Sequence, residues 1–185
     1  MWVAGWIVLI ACWAAWWYPF IFRAPHYQKR PSITARGPTL AGLLLEVTAI
    51  GLAFACRLPP DHPPGFLRIA GTAVFGIIAT VLAWTSVTHL GKQFRVNAGL
   101  YEDHELVRTG PYAVVRHPIY ASMLGMLLCT ILLLTAWQGA AVSIVLFIIG
   151  TEIRVHSEEK LLGSRFGAAL EDYRKRVRAY IPLVR

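Results

Sequence analysis

The chain has 185 residues, 56% of them hydrophobic and only 15% charged, with a formal net charge of +8. A soluble domain usually carries about a quarter charged residues, whereas the apolar residues here fall in blocks of roughly the 20 residues that cross a bilayer. These blocks leave no room for a second, soluble domain, so we expect one membrane-embedded domain over residues 1–185. The basic residues lie between the blocks, and no nucleic-acid partner is expected.

Five apolar segments have the length of a membrane span. They are Trp2–Phe22, Thr39–Cys56, Phe66–Leu90, Pro118–Ala136 and Gln138–Ile153. The first lacks the basic start and the cleavage site of a signal peptide, so we expect it to be retained. A very short turn joins the last two, which predicts a helical hairpin. The predicted fold class is an all-α integral membrane protein with five transmembrane helices.

The distribution of the 18 Lys and Arg residues predicts the orientation. With five spans and the amino terminus outside, all of them except Arg57 and Arg68 fall on the cytoplasmic side, as the positive-inside rule requires. Apolar residues recur every three to four positions from Leu161 to Tyr180, which predicts a cytoplasmic carboxyl-terminal helix. Its basic face suits contact with anionic membrane lipid. We expect a multi-pass protein of the inner or plasma membrane of a prokaryote, of unspecified oligomeric state.

A turn-rich segment leads into the fourth predicted span and offers a place for an anion. Pro118 suits the first turn of a helix and pushes His117 into an extended conformation. The amides from Ile119 onward have no intrahelical acceptor, and this helix end carries partial positive charge. His117 and Tyr120 could flank a carboxylate or phosphate there. A capped helix with interfacial side chains explains the same residues without a ligand.

Charged residues near and within the fifth and second spans are the other candidates. Glu158 and Glu159 follow the fifth span, Arg154 precedes them by one turn, and a solvated, ion-paired surface is the ordinary explanation of such a group. Glu46 lies midway through the second span, where an ionisable side chain costs a few kcal/mol. It is either functional or a neutral group bonded to a neighbouring helix. No His/Cys ligand set or soluble nucleotide motif is found, so no metal is expected.

Two sets of residues form a pattern on either side of the predicted hairpin. They are Leu106, Val107, Gly110, Pro111, Tyr112, Arg116, His117, Pro118 and Tyr120 before it, and Glu158, Glu159, Leu162, Phe166, Gly167, Tyr173 and Pro182 after it. The pattern resembles that of the isoprenylcysteine carboxyl methyltransferase family, and more distantly that of phospholipid N-methyltransferases. It covers about residues 90–185. Many members have Gly where this chain has Ser122.

The resemblance implies a membrane methyltransferase that binds S-adenosyl-L-methionine without a Rossmann domain, in the part from about residue 90 to 185. On this resemblance, nine residues are expected to hold the cofactor. They are His104, Leu106, Val107, Gly110, Tyr112, His117, Tyr120, Glu158 and Glu159.

The resemblance also implies a lipophilic acceptor, either a small molecule or a prenylated compound. A carboxylate acceptor is ionised at neutral pH and needs a cation to place it, for which Arg176 is the candidate. An amine acceptor needs a base, and Glu159 or Glu158 would serve. We expect Glu46 and Arg176 to contact the acceptor, and Arg176 and Glu159 to act in catalysis.

Carboxylate methylation is favoured, and three other functions stay open. They are a phospholipid or amine N-methyltransferase, a reductase of the sterol-reductase type with a nicotinamide cofactor, and a non-catalytic lipid-binding membrane protein.

Overall fold

The computed structural model describes residues 1–23, 33–34, 36–94, 99–100 and 105–180. Helices make up most of this part of the chain. They are α1 (Trp2–Tyr18), α2 (Arg36–Ala55), α3 (Phe66–Leu90), α4 (Pro118–Leu134), α5 (Trp137–Phe166) and α6 (Ala168–Arg176). A π turn over Pro19–Arg23 extends α1, and short 3-10 turns cover Gly91–Gln93 and Gly110–Ala113. Strands β1 (Ile33–Thr34) and β2 (Gly99–Leu100) pair antiparallel over two residues each.

Four helical segments are long and apolar enough to cross a membrane. They are Trp2–Arg23, Gly37–Ala55, Phe66–Gln93 and Trp137–Phe166. Helix α4 is also apolar but has only 17 residues, a length of about 26 Å at 1.5 Å per residue. The predicted class, an all-helical membrane protein, is confirmed apart from the small strand pair, and four of the five predicted segments have a full spanning length.

The helices pack as two long pairs rather than as one isolated hairpin. Helix α5 runs along α2, α4 runs along α3, and α1 lies against α3, whereas α4 and α5 touch each other only briefly. One apolar core joins α1, α3 and α4 through residues such as Leu9, Ala83 and Met126. A second joins α2, α4 and α5 through Ala49 and Phe147. Helix α4 therefore contributes to both cores.

Hydrogen bonds between side chains and neighbouring helices satisfy polar groups within these cores. Trp13 Nε1 donates to Thr130 Oγ1 at 3.1 Å, and Trp16 Nε1 donates to Ser122 Oγ at 3.2 Å. Such bonds matter in a membrane interior because there is no water to take their place. Ser122, the position that departs from the family pattern, is fully buried and its hydroxyl is the acceptor for an indole of α1.

Helices α2 and α5 cross at two glycines. A Cβ atom on Gly42 would lie 2.5 Å from the carbonyl oxygen of Gly150, and a Cβ on Gly150 would lie 2.6 Å from the carbonyl oxygen of Gly42. The backbones therefore touch, as small residues permit at helix crossings in membranes. This close approach brings the following turn of each helix, with Glu46 and Arg154, into the same interface.

The carboxyl-terminal part is organised differently from the single predicted helix. Helix α5 continues well past the predicted span end at Ile153, and Gly167, with φ of +46°, separates it from α6. The chain leaves the helix at Val177. The prediction of helix up to Tyr180 was therefore wrong for residues 177–180, because Arg178 forms a parallel β-bridge with Val115. Apolar periodicity does not detect such pairing to a distant segment.

Substitution of Gly42 should destabilise the α2–α5 crossing. Gly42→Ala places a methyl group against the backbone of α5, and we expect a loss of about 1–3 kcal/mol, measured as a lower thermal unfolding midpoint in detergent. Gly51→Ala is the matched control in the same helix, because nothing lies within 4 Å of a Cβ there. Its midpoint should be unchanged or slightly higher. Equal midpoints for both variants would contradict the close crossing.

Candidate functional site

The carboxylate of Glu159, on α5, joins three separate segments of the chain. Its Oε1 atom accepts hydrogen bonds from Arg116 Nε at 2.9 Å and Nη2 at 2.7 Å, and lies 3.1 Å from Nε2 of His117. Its Oε2 atom accepts from Arg174 Nη2 of α6 at 2.9 Å. The side chain is only 15% exposed, so these charge-assisted bonds are shielded from water and correspondingly strong.

The backbone just before α4 is held by the residues that follow α6. The amide of Arg116 donates to the carbonyl of Arg178 at 2.7 Å, and that of His117 donates to the carbonyl of Ala179 at 2.8 Å. The guanidinium of Arg116 also donates to the carbonyl of Val177 at 2.5 Å. The carboxyl-terminal segment therefore holds the backbone of His117, whose φ of −124° and ψ of 61° are neither helical nor the extended conformation predicted for a residue before proline.

A buried tyrosine strengthens the same junction. The Tyr173 hydroxyl of α6 donates to the carbonyl of Tyr112 at 2.5 Å. Burial raises the pKa of Tyr173 to about 12, so its hydroxyl keeps its proton at neutral pH and remains a donor. Burial likewise raises the pKa of Tyr112. Both phenols are therefore neutral and lie buried next to charged residues of the site.

Gly110, at the start of the 3-10 turn, requires glycine for two reasons. Its φ of +58° is a left-handed conformation that side chains disfavour. A Cβ atom there would also lie 2.5 Å from Cδ2 and 2.6 Å from Cε1 of the His89 ring. The glycine therefore lets this turn lie directly against the end of α3.

Glu158 differs from its neighbour Glu159. Its side chain is 38% exposed, and its Oε2 atom lies 3.7 Å from Nδ1 of His117, which is beyond hydrogen-bonding distance. The Oε2 atom is itself buried and has no hydrogen-bond partner among the described residues. A buried carboxylate oxygen without a donor is costly. Glu158 therefore offers an acceptor beside His117 that a ligand with N–H or O–H groups would satisfy.

A buried ion pair lies one turn closer to the membrane. Glu46 is fully buried; it accepts a hydrogen bond from Thr151 Oγ1 at 2.9 Å and another from Arg154 Nη1. The guanidinium carbon of Arg154 lies 4.9 Å from the ring centroid of Tyr120. The ring of Tyr120 in turn lies 5.8 Å from that of His117. Glu46, a predicted acceptor contact, thus has protein partners for both oxygens.

The other predicted residues are only partly brought together. Leu106 and Val107 are half-buried, whereas Arg176, the last residue of α6, is exposed. His104 lies outside the residues that the structure describes. The predicted site omitted Arg116, Arg154 and Arg174. Arg116 and Arg154 were visible as neighbours of predicted residues, but Arg174 is one of several basic residues in a row and its sequence position gives no sign of its bond to Glu159.

These features define a class: a helical membrane protein with an ordered polar site where α4 begins and α5 leaves its apolar part. Residues 72–164 match the isoprenylcysteine carboxyl methyltransferase (ICMT) family. The chain is also similar to the protein-S-isoprenylcysteine O-methyltransferase of Schizosaccharomyces pombe, with 32% identity over 155 residues, covering 78% of this chain and 65% of the relative. The chain belongs to the isoprenylcysteine carboxyl methyltransferase family.

The two adjacent glutamates should contribute very differently to stability. Glu159→Gln removes the charge that binds two arginines and a histidine, and we expect the free energy of unfolding to fall by about 2 kcal/mol or more. Glu158→Gln breaks no hydrogen bond of its Oε2 atom, and a change within about 0.5 kcal/mol is expected. Thermal unfolding of the two purified variants compares them directly. Equal losses would show that Glu159 is not the organising residue.

Proposed function

We propose that this chain is an S-adenosylmethionine-dependent methyltransferase that esterifies the carboxylate of a lipophilic acceptor, of the prenylcysteine type, at the membrane surface. Family membership and the name of the Schizosaccharomyces pombe relative support this reaction class. The observation that carries the proposal is the buried, unpartnered Oε2 atom of Glu158 beside His117. It is a buried acceptor that a ligand with hydrogen-bond donors would satisfy.

The residues at this end of the bundle fit the cofactor. Glu158 offers an acceptor for its amino group or ribose hydroxyls, and the amino end of α4 favours its carboxylate. The half-buried Leu106 and Val107 and the neutral Tyr112 suit the adenine side. Because Glu159 already accepts bonds on both oxygens, we assign it to holding Arg116 and His117 in place. His104 stays a predicted contact.

The bound cofactor supplies a methyl group on a positively charged sulfur. The acceptor carboxylate attacks in line, so alignment and exclusion of water decide the rate more than proton transfer does. Buried Tyr112 and Tyr173 and the segment 177–179 shield the described site from water. An amine acceptor would need a base, and Glu159, surrounded by three cationic or donor side chains, is poorly suited to take up a proton. Glu158, the other candidate base, holds the cofactor in this proposal, so no base is left for an amine and the proposal favours the carboxylate.

The acceptor carboxylate needs a cation that is not already engaged. Arg116 and Arg174 are ion-paired with Glu159, whereas Arg176 is exposed at the end of α6. We assign Arg176 as the residue that orients the acceptor carboxylate.

We also propose that all five apolar helices span the membrane, with the amino terminus outside. Helix α4 is short, but Leu127 and Leu133 on it are fully buried, and only two residues separate its carboxyl-terminal end from the long apolar helix α5. Five crossings place the Glu159 site and α6 on the cytoplasmic side, together with most of the 18 Lys and Arg residues.

Calorimetric titration of the detergent-purified protein with S-adenosylhomocysteine tests the cofactor site. We expect the wild type to bind and Glu158→Ala to bind at least about tenfold more weakly, because a hydrogen bond to a charged group contributes about 1.5–3 kcal/mol. His117→Ala should weaken binding as well. The unfolding midpoint of Glu158→Ala, measured alongside, separates lost binding from lost folding. A folded wild type that does not bind would contradict the proposal.

Arg176→Ala tests the carboxylate acceptor. We expect S-adenosylhomocysteine affinity to be unchanged and the KM for a prenylcysteine analogue to rise by about tenfold or more, because a guanidinium–carboxylate bond is lost. Arg178→Ala is the matched control, since that side chain is also exposed and only its backbone carbonyl bonds to Arg116. Unchanged turnover of prenylcysteine by Arg176→Ala would remove Arg176 from the acceptor site.

A further inference from the structure

Three side chains connect the interior of the α2–α5 interface to the proposed cofactor site. Glu46 of α2 binds the guanidinium of Arg154 on α5, that guanidinium lies over the ring of Tyr120 on α4, and Tyr120 contacts His117 ring to ring. Only Glu46 lies outside residues 72–164, the part that matches the family. The family pattern alone therefore gives no reason to link α2 to this site.

The position of Arg154 depends on Glu46. A guanidinium that is 7% exposed between helices needs a counter-charge, because desolvation otherwise disfavours it strongly. Glu46 provides that charge from the far side, and Thr151 fixes the carboxylate by a second bond. One face of the guanidinium lies against the ring of Tyr120. A cation–π contact is most favourable when, as here, the cation is shielded from water.

The close glycine crossing makes this arrangement possible. Gly42 precedes Glu46 by one turn, and Gly150 precedes Arg154 by one turn. Because the two backbones touch at the glycines, the carboxylate and guanidinium meet across the interface while Arg154 still reaches the ring of α4. The interface thus specifies both the ion pair and the direction in which the guanidinium faces.

We propose that Glu46 is a positioning residue of the cofactor site: through Arg154 it holds the Tyr120 ring against His117 and beside Glu158, and it does not bind the acceptor. This inference rests on the proposed function. It means that α2, which lies in the part of the chain without a recognised motif, contributes to cofactor affinity. It also explains why both oxygens of a buried carboxylate are used within the protein.

A charge exchange separates this role from a merely structural one. In the double variant Glu46→Arg/Arg154→Glu the ion pair is kept, but a carboxylate now faces the negative face of the Tyr120 ring. Relative to Glu46→Gln, the unfolding midpoint should recover. The Kd for S-adenosylhomocysteine should stay about five- to tenfold weaker than in the wild type, as expected for a lost cation–π contact. If the unfolding midpoint and the Kd both recovered, the Glu46–Arg154 ion pair would stabilise the fold without positioning the cofactor site.

A double-mutant cycle tests the path through Tyr120. Glu46→Gln should weaken binding about fivefold in the wild-type background and have no further effect in Tyr120→Leu, because the coupling is then absent. Additive losses would contradict the path. Thr135→Val is the control: it removes a buried hydrogen bond to the far end of α2, so the midpoint should fall while the Kd is unchanged.

The two proposals fail in different ways. A folded wild type that does not bind S-adenosylhomocysteine overturns the proposed function. A wild type that binds, together with an unchanged Kd in Glu46→Gln, overturns only the role of Glu46.

Discussion

The ionised carboxylate of Glu159 determines how the polar end of this protein is arranged. It binds Arg116 and His117 from the segment before α4 and Arg174 from α6, so one charge on α5 ties two other segments of the chain to that helix. The hydrogen bonds to the backbone of residues 177–179 also align these segments. They do not neutralise the charges of the two arginines. Without a carboxylate at this position, two guanidinium groups would face each other across a half-buried space.

Helix α5 carries this arrangement into the membrane as one rigid element of 30 residues. Arg154 and Glu158 lie one turn apart on it, so the ion pair with Glu46 and the site beside His117 share a helix face. A change in the α2–α5 interface is therefore transmitted to the site through helix geometry and through Tyr120. The glycine crossing sets the interhelical distance on which both depend. Neighbouring turns of the α2–α5 interface therefore determine both the stability of the crossing and the arrangement of the side chains at the site.

The sequence predicted the helical membrane class and the two segments that form the site, because hydrophobic length and a specific motif are local signals. It could not distinguish Glu158 from Glu159, since adjacent residues have the same chemistry and only tertiary contacts give them different partners. It could not choose Arg174 among neighbouring basic residues for the same reason. Residues 177–180 were predicted as helix but lie outside it, because Arg178 pairs instead with Val115, in a segment about 60 residues away. Glu46 was recognised as unusual, but its partner on α5 required the fold.

The contrast between the two glutamates also limits the chemistry that the site can perform. A carboxylate that neutralises several cations is a poor base, because taking up a proton would abolish the bonds that order the site. A carboxylate with an unpartnered buried oxygen is instead a binding group whose desolvation a ligand can offset. In such a site Glu159 orders the surrounding residues and Glu158 binds the ligand, and neither is well placed to transfer a proton. That combination suits displacement of a good leaving group by a nucleophile that is already ionised, and it is the physical reason why we propose a carboxylate rather than an amine as the acceptor.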